Sequence, residues 1–259
     1  MKDDQASRAD ADRLQALCDE GQRRLERMDY LAAISVLEQA DLLATQLGDF
    51  DTLSRLYLPL QEARRQSRQR AGEGIVKLDL LEPADRSFDP VELAQRYPHG
   101  QLLVAGHAQL NASRSLRAVQ RQRMQYAETF LAAWYDVGAA RAVLVVPVDQ
   151  VAVPESSRVR SIDELLRLAP PHSVILPESD LPTGERPGDT RTFAWTMNLW
   201  ERLHLPYLAM ARATSDPIRR IDACRLAIVV DPACEPAHQL LSETARALHL
   251  ERPSASSSG

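Results

Sequence analysis

The sequence predicts an α/β protein: a central sheet, mixed or mostly parallel, with flanking helices and a helical segment at each end. Three observations carry that expectation. Apolar residues recur at intervals of three and four from residue 8 to about 70 and again beyond 190, the period of a helix buried along one face. Between these zones lie apolar runs of strand length at 75–80, 102–105, 143–146 and 174–176. Polar helical stretches alternate with the runs, the order of a layered sheet-and-helix domain.

In the first zone, residues 1–73, Leu14, Leu17, Gly21, Leu25 and Met28 form one helical stripe, and Tyr30, Ile34, Leu37, Ala40, Leu43 and Ala44 form a second. Gly48 then stops the helix and Asp49 caps the next, whose stripe is Leu53, Leu56, Tyr57, Leu60 and Ala63. Arg64, Arg65, Arg68 and Arg70 gather at its end, where the helix dipole favours positive charge. Gly72 and Gly74 mark the boundary.

The second zone, 74–189, changes period. The run at 75–80 alternates as a half-buried strand does, and the other three are continuous, as strands covered on both faces are. Helices are expected at 90–97, 113–125 and 162–168, opened by Asp89, Asn111 and Ser161. Residues 129–135 fit either a strand or the end of the helix begun at Ser113. Read as a strand, they make a hairpin with the next run through Val137-Gly138-Ala139-Ala140, and the sheet is mixed. The stretch 180–189, with Pro182, Gly184, Pro187 and Gly188, reads as a loop. A last helical segment covers 190–251, where Phe193, Met197, Trp200 and Leu203 share a face; the Ser-rich tail 252–259 has the composition of disorder.

Gly21, Ala33, Leu37 and Ala40, with Tyr30 just ahead of the second helix, follow the small–large–small spacing of paired helices. Ala227, Asp231-Pro232, Ala237 and Leu241 repeat it at the other end. On these residues, 14–56 and 204–248 resemble tetratricopeptide repeats, units of about 34 residues folded as two antiparallel helices. The pattern departs at Arg24, Thr45, Arg220 and Cys224. The resemblance implies helical faces that bind peptides, hence a protein–protein interaction or assembly module with a protein partner of unknown identity. A lone repeat cannot bury its apolar face, so each end is expected to pack on the central domain or on the other end.

With 31 basic against 36 acidic side chains, the net charge of −5 argues against nucleic acid as a partner. Only Lys2 and Lys77 among the basic residues are lysine, a bias that codon usage in a GC-rich genome explains. No apolar run is long enough to span a bilayer. No leader is recognisable, and Cys18, Cys224 and Cys234 form no C-x-x-C, so the expected compartment is the cytoplasm. None of the common phosphate-loop, dinucleotide, serine-hydrolase or zinc motifs occurs, and the six histidines lack ligand spacing. The sequence therefore nominates no catalytic residue, metal or cofactor.

The alternative function is a small-molecule or nucleotide-binding α/β domain, or an enzyme built on one. Its site would lie at the carboxyl ends of the strands, where open sheets bind ligands. Reading those ends selects Gly106, His107, Asn111, Ser113, Asp149 and Glu178. Asp136 belongs with them only if the strand at 129–136 does not run antiparallel to the next. The helix bearing Arg114, Arg117, Arg121 and Arg123 reads as a solvated face, with binding of a phosphate backbone or of an acidic protein as the alternatives.

Overall fold

A computed structural model describes residues 2–73, 75–81, 88–181 and 190–251. They fall into two compact units, one of residues up to Ser67 with those from Tyr207 onward, the other of Arg68–Pro206. Most of the first and last zones of the sequence thus share a unit, while 68–73 and 190–206 fall with the sheet. No helix is long and apolar enough to cross a membrane.

The helical unit begins with α1 (Lys2–Glu26), α2 (Tyr30–Leu47) and α3 (Phe50–Gly72) as far as Ser67. Close approach of α1 and α2 depends on Gly21, since a Cβ there would stand 2.4 Å from Leu37 Cδ2. Gly48 ends α2 in the left-handed region at φ 63°, and the Thr52 N–H donates to the Asp49 carboxylate at 3.0 Å. All five residues of the third predicted stripe are buried. The first stripe is corrected at its end. Met28 lies in the turn after α1, at φ 61° and 62% exposed.

The C-terminal part of α7 (Thr190–Ala213), α8 (Pro217–Val230) and α9 (Glu235–Glu251) complete this unit. Ile221, Cys224 and Ala227 of α8, and Ala237, Leu241 and Ala245 of α9, are buried. Arg225 donates to Asp41 at 2.8 Å, beside the Tyr57 hydroxyl, which donates to the same carboxylate at 2.9 Å. Ser242 Oγ donates to the Ser54 carbonyl, and the His238 ring sits 5.6 Å from that of Tyr57. Of the two neighbours the sequence allows each end, the other end is therefore one.

The sheet unit runs β1 (Ile75–Leu81), α4 (Pro90–Arg96), β2 (His99–His107), α5 (Asn111–Gln122), β3 (Tyr126–Thr129), β4 (Leu131–Val137), β5 (Ala140–Val146), α6 (Ile162–Leu168) and β6 (Val174–Pro177), then the first part of α7. The strand order is β1-β2-β4-β5-β6, with β3 also on β2. β1, β2, β3 and β4 are parallel; β5 runs against both β4 and β6, giving the mixed sheet. β3 and β4 keep one register on β2, Leu102 opposite Thr129 and Ala105 opposite Ala132. They amount to a single strand broken at Phe130, whose N–H still donates to the Leu102 carbonyl at 2.8 Å. Residues 129–135 are thus in the sheet, and Gly138, at φ 72°, supplies the left-handed turn of the hairpin.

Alternation along the strands assigns two faces. Leu102 and Val104 pack with Leu93, Ala94, Ala112 and Leu116 of α4 and α5; Leu131, Ala133, Tyr135 and Leu144 pack with Leu165 of α6. On the opposite face, Phe130 stacks on Trp200 of α7 at 4.3 Å, and Trp200 Nε1–H donates to Gln101. Arg68, 7% exposed, forks onto Glu128 beneath this stack, with its guanidinium 4.7 Å from the Trp200 ring. Asp89 and Ser161 cap α4 and α6 as expected. Asn111 does not cap α5: Leu110 holds that position and Asn111 is the first helical residue. The predicted loop, from Pro182 to Asp189, and the tail after Glu251 lie outside the described residues.

Candidate functional site

The carboxyl edge of the sheet gathers chemistry because of strand register. β2 ends in a tight turn where Gly106 bridges to Gln109, and a Cβ on Gly106 would lie 3.2 Å from the Gln109 carbonyl oxygen. Ala108 follows in the left-handed region at φ 51°, a conformation costing a non-glycine residue about 1 kcal/mol. Its N–H donates to the Trp134 carbonyl at 2.9 Å. The parallel pairing of β2 with β4 sets His107 opposite Trp134, and their rings meet edge to face at 4.6 Å.

The antiparallel hairpin then sets Asp136 opposite Arg141. His107 Nε2 lies 3.8 Å from Asp136 Oδ2, and Arg141 Nε lies 3.8 Å from Oδ1. Both distances are beyond a direct hydrogen bond. The Arg141 guanidinium also covers the Trp134 ring at 4.7 Å. His107 keeps 20% of its side chain exposed. An imidazole, a carboxylate and a guanidinium on one aromatic floor offer both donors and acceptors to a small polar ligand.

Asp136 corrects the sequence reading. The two hairpin strands are antiparallel, yet Asp136 stays with His107, because β2 and β4 are parallel and end together. The residue that leaves is Asp149: β5 finishes with Val146 opposite Leu131, at the other end of β4, and Asp149 pairs with Arg114. Ser113 is fully buried, donating to the Leu110 carbonyl and accepting from the Ala132 N–H, so it fastens α5 to β4. Asn111 is exposed on the first turn of α5. Glu178 is exposed in the short turn after β6, at the same edge as Asp136 and Arg141, since Pro177 stands opposite Ala142. Trp134 and Arg141, which sequence reasoning missed, carry no signal apart from register.

The helical unit holds a second feature, a cleft of about 190 Å³. Cys18, Leu37, Leu56 and Pro59 line its apolar part; Gln15, Asp19, Gln22, Thr52 and Arg55 line its polar part. Gln15, Asp19 and Gln22 follow three- and four-residue steps along one face of α1. Burial raises the Cys18 thiol pKa above its ordinary value, so this side chain is a wall rather than a ready nucleophile.

No family model matches this chain, and no curated protein or solved structure matches it.

Proposed function

We propose that the protein is an interaction or assembly module whose helical unit seats a segment of a protein partner in the α1–α2–α3 cleft. The observation that carries this is the size and lining of the cleft. At about 190 Å³ it falls below the roughly 300–1,000 Å³ of small-molecule sites, and it suits a single partner side chain. Gln15 donates to Asp19, Gln22 to Glu26 and Arg55 to Asp51 in exposed pairs within one helix, and these polar groups can be exchanged for a bound backbone. The close approach at Gly21 supports repeat-like pairing of α1 and α2.

Ala33 and Ala237 are interior residues, so variants that test the surface belong in the cleft. Selection of a random peptide library on the full chain is expected to yield binders that Asp19→Arg weakens at least about tenfold, some 1.4 kcal/mol. Failure to enrich any peptide, or binders indifferent to Asp19→Arg and Gln22→Lys, would overturn the reading.

A second reading, a small polar ligand at the sheet edge, is favoured by the gathering of His107, Asp136 and Arg141 there. It expects a metabolite that raises the melting temperature of the wild-type chain but not of His107→Ala.

A further inference from the structure

The sheet has two edge strands, and they differ. β6 is four residues long and closes on Pro177, which has no N–H to offer a further strand. β1 is seven residues long and lies parallel to β2 in unbroken register, from Ile75 opposite Gly100 to Leu81 opposite Gly106. Among the described residues no strand pairs with its outer side. Alternate residues of a strand paired on one side only present their N–H and C=O groups outward. β1 thus carries an unused ladder about 20 Å long.

The strand reads Ile75-Val76-Lys77-Leu78-Asp79-Leu80-Leu81, and this order is self-complementary. When two copies run antiparallel about a two-fold axis at Leu78, Lys77 of each stands opposite Asp79 of the other. Val76 then stands opposite Leu80, and Ile75 opposite Leu81. Directly facing residues of an antiparallel pair share a face, and opposite charges there stabilise it. Both Lys–Asp pairs fall on the face of Leu102 and Val104, because β1 is in register with β2. A lysine on an edge strand ordinarily discourages pairing. Asp79, two residues on, lifts that penalty for one register only. Moving the axis to Lys77 or to Asp79 sets like charges face to face, which is destabilising.

We infer that the protein forms a two-fold homodimer through β1, which joins two six-stranded sheets into one. The strand of an unrelated partner would have to bring the two charges in reverse order, whereas a second copy run antiparallel brings them by symmetry. This goes beyond the interaction module and does not depend on its cleft.

The test is sedimentation equilibrium of the full chain across micromolar concentrations, where the wild type is expected at twice the chain mass. Lys77→Asp sets two carboxylates face to face on each side of the axis, and Asp79→Lys sets two ammonium groups so. Each is expected to weaken dimerisation at least about tenfold. Lys77→Asp combined with Asp79→Lys exchanges the charges and is expected to restore the dimer, which a general loss of folding would not do. Tryptophan fluorescence confirms that the sheet unit of each variant is folded. A crosslink reads the register, with the half-buried Cys18 replaced by serine. Leu78→Cys is expected to form a disulfide with its own copy by exchange with glutathione disulfide, which leaves as two glutathione thiols. Facing Cα atoms of an antiparallel pair lie about 4.5–5.5 Å apart, within disulfide reach. Ile75→Cys, about 20 Å from its own copy, is expected to form none. A monomer throughout the concentration range overturns the inference. So does a dimer that both single exchanges leave unchanged, or one that the double exchange fails to restore.

Discussion

In the helical unit, arginines that reach the interior tie one end of the chain to the other. Arg225 joins Asp41, Tyr57 and Thr45, and Arg64 joins Glu38 and His238. In the sheet unit, Arg68 and Arg114 are likewise matched to Glu128 and Asp149, whereas the exposed Arg121 and Arg123, on and beside α5, make no ion pair with a described residue. Exposed charges contribute little to folding, whereas an unpaired buried charge costs several kcal/mol. Paired arginines are therefore explained by the fold. The exposed, unpaired ones need no partner, because water solvates them.

The largest expected effect tests that distinction directly. Arg68→Ala strands the Glu128 carboxylate beneath Trp200 and should destabilise the sheet unit by about 3 kcal/mol, while Arg121→Ala should change its stability by less than about 0.5 kcal/mol. Trp134, Trp195 and Trp200 all lie in this unit, so denaturant melts followed by tryptophan fluorescence read it. Equal costs for the two variants would erase the contrast between paired and unpaired arginines.

The next effect belongs to the helical unit. His238 is fully buried, with Nε2 3.0 Å from the Pro232 carbonyl oxygen, and its pKa is pushed down to about 4 from the ordinary 6.5, by burial first and by Arg64 second. The folded protein therefore refuses a proton that the unfolded chain accepts between those values. Stability is complete above pH 6.5 and falls as the pH drops toward 4, a loss of about 3 kcal/mol across the window. Helix melts followed by circular dichroism should show this slope in the wild type and a flatter one in His238→Gln. A slope that survives the substitution would assign the acid sensitivity to other groups.

These contrasts also show what was legible from residues alone. The stripe of Leu53, Leu56, Tyr57, Leu60 and Ala63 announces its helix because one face is buried along its length, and the runs at 102–105 and 143–146 announce strands because both faces are. Arg68 is invisible by the same logic. It sits in a run with Arg64, Arg65 and Arg70 that reads as a solvated helix end, and only the arrival of Glu128, sixty residues later, makes it interior. Asp136 and Trp134 were hidden for a related reason: which residues share a sheet edge depends on register and direction, neither of which is written in the strand itself. Met28 misled because it continues the three–four spacing past the point where the helix has already ended.

That last error leads to the smallest effect, one in which the two units should behave alike. Met28 and Met124 each follow a helix in the left-handed region, at φ 61° and 51°. Each turn closes in the same way. The N–H groups of Met28 and Asp29 donate to Leu25 and Arg24, and those of Met124 and Gln125 donate to Arg121 and Gln120. Glycine is the usual residue at such a helix end because it has no Cβ to collide with the backbone carbonyl. Both methionines are largely solvent-exposed, 62% and 49%, so little packing is lost with the side chain. Met28→Gly and Met124→Gly should each stabilise the protein, by about 0.5–1 kcal/mol once the greater freedom of glycine in the unfolded chain is offset. Circular dichroism reports the first and tryptophan fluorescence the second. If Met124→Gly instead destabilises while Met28→Gly does not, the Met124 side chain supports the turn that carries Arg123 to Tyr126, and the two helix ends are alike in backbone only.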